Sequence, residues 1–252
     1  MEFSKCLKIF EDYVNQYDRK IKEIDYKYNH TLRVVEYSKI ICENEKFNEL
    51  ETKLTIIASL LHDIGRFEQW IKYNSWHSVD HGDLGYEILT KDNFILKFVE
   101  QEYAKIILNA VKFHNKYEIP NNVSELEEKV LKVVRDADKI DILLTQNNMD
   151  NNKNEYRNDY IKMEDIIIEE EYIKDILDEK MVSVKNNDII SGIIRQLSFL
   201  FDINYRTTFK IIYNYDIINK KLSLLKKALK EEKQYKIIEI KIKDYLESNI
   251  KL

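Results

Sequence analysis

All-α is the fold class this sequence predicts, on three observations. Glycine occurs four times and proline once in 252 residues; helix interiors exclude both, whereas the turns of a β fold consume them. Apolar residues, 44% of the chain, recur at three- and four-residue spacing in segment after segment. The connections between those segments are short and polar. Length and apolar content allow one large helical domain, or a domain with a helical extension.

The elements follow in order. Phe3, Leu7, Phe10 and Val14 form one stripe of a helix over 3–17. A second helix is expected from about Asp25 to Cys42, with Val34, Tyr37 and Ile41 inward. A third starts near Asn48, where Asn48 and Glu51 have capping-box spacing. It runs through the apolar LTIIASLL to His62 and Asp63, and Gly65 marks its expected end. The aromatic stretch from Arg66 to Val79 reads as a loop. Helical patterning resumes near Asp80, and Phe94 to Phe113 is strongly periodic. Pro120 closes the next connection; Ser124 and Glu127 then cap a helix carrying Val130, Val133, Val134 and Ala137. The Asn-rich run 146–159 reads as a loop and an internal boundary. Further helices are expected over Met163 to Asp178, Ile189 to Asp202, Thr207 to Leu229, and from Glu231 to the end.

The net charge of −5 argues against a general nucleic-acid binder, which needs a basic surface to displace counterions. It leaves room for a basic pocket. Cys6 and Cys42 are too few for a disulfide framework or a zinc ribbon. The N-terminus lacks a basic-then-apolar signal pattern, and no apolar run is long enough to cross a bilayer. A soluble, cytoplasmic protein is expected.

The five histidines, His30, His62, His77, His81 and His114, all lie in the first half of the chain. His62 precedes Asp63 at the end of an almost wholly apolar helix, where an imidazole and an acid are costly to bury without compensation. A metal ion would compensate both. His30 shares the stripe of Val34, Tyr37 and Ile41. His114 continues the face of Ile107 and Ala110, and Asp138 lies between Val134 and Ile142 at four-residue spacing. Imidazole with carboxylate suits iron, manganese, cobalt, nickel or zinc rather than calcium.

His30, the doublet His62-Asp63, and Asp138 in RDADKID resemble the ordered His…His-Asp…Asp signature of the HD superfamily. The context LLHDIGRF is similar to that family's apolar-HDIG-basic run. His81 in DHGDLGYEIL and His114 in FHNKYEIP fall where dinuclear members place two more histidines. The resemblance covers roughly residues 25–145. It implies a compact bundle of antiparallel helices with one or two divalent transition-metal ions at its centre, and helices added after it. The domain reading is then 1–145 for the metal-binding core with its N-terminal helix, and 146–252 for a C-terminal extension packed on it. By the same resemblance, His30, His62, Asp63 and Asp138 would hold the first metal. Asp63 would bridge to a second, completed by His81 and His114.

Arg66 stands where many family members carry Lys; either cation suits a substrate phosphate. Arg33, one turn from His30, either reaches the pocket or pairs with a carboxylate. His77, four residues before His81, reads as a polar loop residue or one facing substrate. Asp136 and Asp141 flank Asp138, with Asp136 suited to orienting a ligand. Asn115 is a neighbour of the site or a helix stop. Trp70, Tyr73 and Trp76 either stack on a base or cover the core edge. Arg195, Asp202 and Arg206 flank an aromatic run that suits ordinary packing first, and a cap or homodimer contact second.

The resemblance implies a metal-dependent phosphohydrolase that cleaves a phosphate mono- or diester of a nucleotide or small phosphorylated metabolite. The expected mechanism is a metal-activated hydroxide held at Asp63, with Arg66 offsetting transition-state charge. No P-loop or Cys-nucleophile motif competes with it. The alternatives are a di-iron oxygenase of the same superfamily and a non-catalytic ligand- or partner-binding module. The expected partner is a small phosphorylated substrate, with no membrane and no general nucleic-acid binding.

Overall fold

A computed structural model describes residues 2–151, 167–184 and 188–251. The fold is all-α, with no strand among the described residues. The chain divides into two compact units, residues 1–141 and 142–252.

The first unit holds α1 (Phe3–Val14), α2 (Lys22–Asn44), α3 (Glu49–Leu61), α4 (Ile64–Tyr73), α5 (His81–Thr90), α6 (Gln101–Phe113) and most of α7 (Glu125–Asn151). Helix α3 packs against α1, α2 and α6, while α5 lies between α4 and α6. Leu54, Leu60, Leu61, Ile64, Phe67, Ile107, Val130 and Val134 meet in one buried core. Two capping boxes set helix starts as the sequence spacing predicts. Asn48 Oδ1 accepts from the Glu51 backbone while Glu51 accepts from Asn48 N–H. Ser124 and Glu127 make the same exchange at α7. Each cap satisfies two backbone donors that have no intrahelical partner.

The region after His62 departs from the expected loop. The helix breaks at His62 and Asp63, and Asp63 adopts φ −103°, ψ 18°, in the sparsely populated bridge region. Residues Ile64–Tyr73 then form α4. Its core contacts explain it: Ile64 and Phe67 are fully buried, and Phe67 meets the rings of Phe10, Tyr13 and Tyr17. Gly65 is inside α4 and is no helix stop. A Cβ there would collide with the His81 carbonyl oxygen and come within 2.7 Å of Gly85 N. Glycine is needed because α4 and α5 touch backbone to backbone. The periodic stretch from Phe94 is also interrupted, since Lys91–Lys97 is a 3-10 helix and α6 starts only at Gln101.

The second unit contains α8 (Glu170–Leu177), α9 (Ile189–Ser198), α10 (Arg206–Asn214), α11 (Ile217–Ala228) and α12 (Glu232–Lys251). Its own core includes Tyr172, Ile176, Leu197, Ile212, Leu225, Ile238 and Ile242. Helix α12 packs against α8, α10 and α11. The single helix expected from Thr207 to Leu229 is two, because Asp216 takes a left-handed conformation at φ 56°, which Asp tolerates better than most residues. Arg206 donates to the Ile250 carbonyl near the end of α12, while Arg195 is exposed. The expected loop over 146–159 is helical up to Asn151; local propensity is a weak constraint on a helix already formed. Its remainder, and the start of the helix expected from Met163, lie outside the described residues. Among the described residues no helix is long and apolar enough to cross a membrane.

Candidate metal centre

Five elements of the first unit bring the site together. Helix α2 supplies His30, and the break between α3 and α4 supplies His62 and Asp63. His81 opens α5, His114 closes α6, and Asp138 comes from α7. Asp80 caps α5 by accepting from the N–H groups of Gly82 and Asp83, which fixes where His81 begins its turn.

Asp63 sits between two histidine pairs. Its Oδ2 is 3.4 Å from His30 Nε2 and 3.5 Å from His62 Nε2. Its Oδ1 is 3.3 Å from His81 Nε2 and 3.7 Å from His114 Nε2. Asp138 Oδ1 closes the first pair, at 3.1 Å from His30 Nε2 and 3.8 Å from His62 Nε2. The imidazoles also face one another: His30 and His62 approach to 3.3 Å through Nε2, and His81 and His114 to 3.0 Å. All of these groups are buried except Asp138, which is partly open. His30, His62 and Asp63 form one group able to hold a metal ion, Asp63, His81 and His114 another, and His62, His114 and Asp138 a third.

The hydrogen bonds at the far side of two rings test whether a metal fits. His62 Nδ1 is 2.7 Å from the Ser59 carbonyl, and His114 Nδ1 is 2.8 Å from the Val111 carbonyl. A carbonyl only accepts, so the proton is on Nδ1 in both rings and Nε2 presents a lone pair. Two inward lone pairs beside the buried Asp63 and the partly open Asp138 form a donor set that a divalent cation satisfies. His30 is oriented by a carboxylate instead, with Nδ1 2.6 Å from Asp141 Oδ2.

The electrostatics agree. Burial alone would raise the Asp63 carboxyl, but Lys27, His62 and the close approach of His114 and His30 hold it well below the usual range. Burial is likewise outweighed at Asp138 by the adjoining His30 and His62 rings, and its carboxyl is held low. Burial pushes the His81 and His114 pKa values down, which favours the neutral rings. His30 goes the other way. Burial and Lys27 lower it, but hydrogen bonds to Asp138, Asp141 and Asp63 prevail and push it up to about 9.

The other candidates divide. Arg66 lies against the site, with Nε 3.6 Å from Asp63 Oδ1. Its NH1 donates to Gln69 Oε1 and the Trp76 carbonyl. Arg33 is a fork on Asp141, at 2.6 and 3.0 Å, which is the carboxylate pairing and not a free pocket cation. His77 is exposed between α4 and α5, and its backbone N–H donates to Ser75 Oγ; the structure does not bring it to the cluster. Asn115 Nδ2 is 3.1 Å from Asp80 Oδ1 and 3.3 Å from His81 Nδ1. Asp136 is buried. Trp70 and Trp76 pack ring on ring at 4.6 Å, while Tyr73 is exposed.

Two residues, Lys27 and Arg135, escaped the sequence reading, and Asp141 was noted only as a neighbour of Asp138. Lys27 donates to Asp63 Oδ2 at 2.6 Å. Asp141 holds His30 and Arg33. Arg135 is a buried guanidinium whose NH1 lies 3.1, 3.2 and 2.6 Å from the carbonyls of Phe113, His114 and Lys116, clasping the end of α6. Each is three residues from a candidate ligand on its own helix, so helical spacing from His30 and Asp138 was the available signal.

No curated protein and no solved structure matches the chain. Residues 28–143 match the HD domain family, a span that contains all six converging residues. Residues 28–143 thus form an HD domain.

Proposed function

We propose that the protein is a metal-dependent phosphohydrolase acting on a phosphate mono- or diester of a nucleotide or small phosphorylated metabolite. The observation that supports this is the position of Asp63, whose two carboxylate oxygens face two separate histidine pairs. His30, His62, Asp63 and Asp138 would hold one divalent ion; Asp63, His81 and His114 would hold a second. Bound metal supplies a water acidic enough to attack phosphorus near neutral pH, and a positive charge for the phosphoryl oxygens.

The chain's own groups do the rest. Ser59 and Val111 carbonyls keep the His62 and His114 lone pairs aimed inward. Asp141 sets the ring of His30. Arg66, held by Gln69 and the Trp76 carbonyl beside Asp63, is placed to offset charge that develops on the phosphoryl group. Burial of the whole cluster strengthens each of these interactions. No side-chain nucleophile is required.

The test is a phosphoester screen on metal-loaded protein, comparing wild type with Asp63→Ala. Hydrolysis lost in a variant that keeps its helical circular dichroism is the expected result. Full activity in folded Asp63→Ala would contradict this mechanism.

A further inference from the structure

We infer that Lys27 joins Arg66 in a subsite for a dianionic phosphoryl group, which makes a phosphate monoester, rather than a diester, the preferred substrate class. The inference rests on the phosphohydrolase reading above.

Lys27 and Arg66 approach Asp63 from different helices and at different oxygens. Lys27, on α2, donates to Oδ2 at 2.6 Å; Arg66, on α4, has Nε 3.6 Å from Oδ1. Both side chains are nearly enclosed, at 13% and 16% exposure. Both also lie on the indole of Trp76, with Lys27 Nζ 5.8 Å and Arg66 Cζ 5.4 Å from the ring. Cations over an indole are favoured there, and Trp76 is braced by Trp70 behind it.

The two cations have donors to spare. An ammonium carries three N–H groups and a guanidinium five. Lys27 uses one, on Asp63. Arg66 uses NH1 on Gln69 and Trp76, while its Nε is buried without a hydrogen-bond partner. Among the described residues neither side chain has a further acceptor. Donors left unspent in a low-dielectric setting are costly, and a group with several acceptor oxygens in one place relieves that cost at both cations. A phosphoryl group has this form. Two cationic side chains match two negative charges, which a terminal phosphate carries and a diester does not. Where a metal engages Asp63, the third N–H of Lys27 is released to the same anion.

The experiment is calorimetric titration at pH 8 of manganese-loaded protein with inorganic phosphate and with dimethyl phosphate. The proteins are wild type, Lys27→Gln and Lys72→Gln. Lys72 is exposed and pairs with Glu68, so Lys72→Gln removes one charge away from the subsite. Lys27→Gln is expected to weaken phosphate binding by about ten- to a hundredfold, the range for a lost charge-assisted hydrogen bond, with Lys72→Gln unchanged. Wild type is expected to prefer phosphate over dimethyl phosphate by at least about tenfold, a comparison that needs no variant to fold. Equal phosphate affinity in wild type and Lys27→Gln, equal losses in both variants, or no preference between the two anions would each overturn the inference. A wild type that hydrolyses phosphoesters but fails these criteria leaves the phosphohydrolase reading standing. A wild type that meets them and hydrolyses none brings that reading down alone.

Discussion

Asp141 Oδ2 is 2.6 Å from His30 Nδ1, and the same carboxylate takes the Arg33 fork at 2.6 and 3.0 Å. The pair therefore has a fixed geometry before any metal arrives. A carboxylate behind a histidine ligand sets the ring and raises its basicity, and its loss costs about 10- to 100-fold in metal affinity. Asp141→Asn is expected to weaken metal binding by that order while leaving the helical content unchanged. Competition with a chromogenic chelator measures it; unaltered affinity would show that His30 needs no such partner.

His81 and His114 both face Oδ1 of Asp63, and His81 is in none of the sets that include His62. Replacing His81 by Ala is expected to remove about one ion per chain, leaving the set of His30, His62, Asp63 and Asp138 loaded. Elemental analysis of the purified variant decides this. Loss of all metal, or of none, would show that the two sets are not separable.

Proton exchange gives a third expectation. In chelated protein the His30 pKa is pushed up to about 9, so the ring is protonated at pH 7.5. A metal ligand must be unprotonated at the nitrogen it uses, so binding should release about one proton at that pH and fewer as pH rises past 9. Calorimetry in buffers of different ionisation enthalpy counts it. The same shift has a stability consequence. His30 is raised, so its contribution is complete below the ordinary 6.5 and lost as pH climbs through about 9. His81 and His114 are lowered, so their contribution is present above 6.5 and lost as pH falls beneath it. Chelated protein should therefore melt highest near pH 6.5, with added metal protecting it more at pH 8 than at pH 6.

Gly65 tests the scaffold. Its missing side chain lets α4 meet the His81 carbonyl and Gly85 backbone. A methyl group cannot be absorbed by a rotamer change, because both obstacles are main chain. Gly65→Ala is expected to cost about 1–3 kcal/mol, the usual range for overpacking, and to weaken metal binding by displacing His81. Thermal unfolding with and without metal reads both effects.

These expectations also mark where the sequence was legible. Five of the six residues that converge were readable because they end or continue apolar helical faces, and four of those follow in the family's order; His81 was readable only through the resemblance. The capping boxes at Asn48 and Ser124 were equally plain, since their hydrogen bonds are local. Helix α4 was not. Gly65 has the form of a helix stop, and only its close approach to α5 explains it. Its exposed apolar side chains, Ile71 and Tyr73, blur the period that Phe67 and Ile64 would otherwise reveal. Lys27 went unremarked, and Asp141 stood out only as a neighbour of Asp138. Their roles depend on partners 36 and 111 residues away, and no local pattern carries that distance. His77 is the polar loop residue its sequence allowed, and its four-residue spacing from His81 is not helical, because Ser78 to Asp80 are not in a helix.

The most direct measurement is the metal content per chain of protein purified without chelator or histidine tag, for wild type and Asp63→Asn together. The account expects about two transition-metal ions in wild type, and loss from both positions in the variant, because one carboxylate serves both histidine pairs. Two ions retained in folded Asp63→Asn, or none in wild type even after reconstitution, would contradict it.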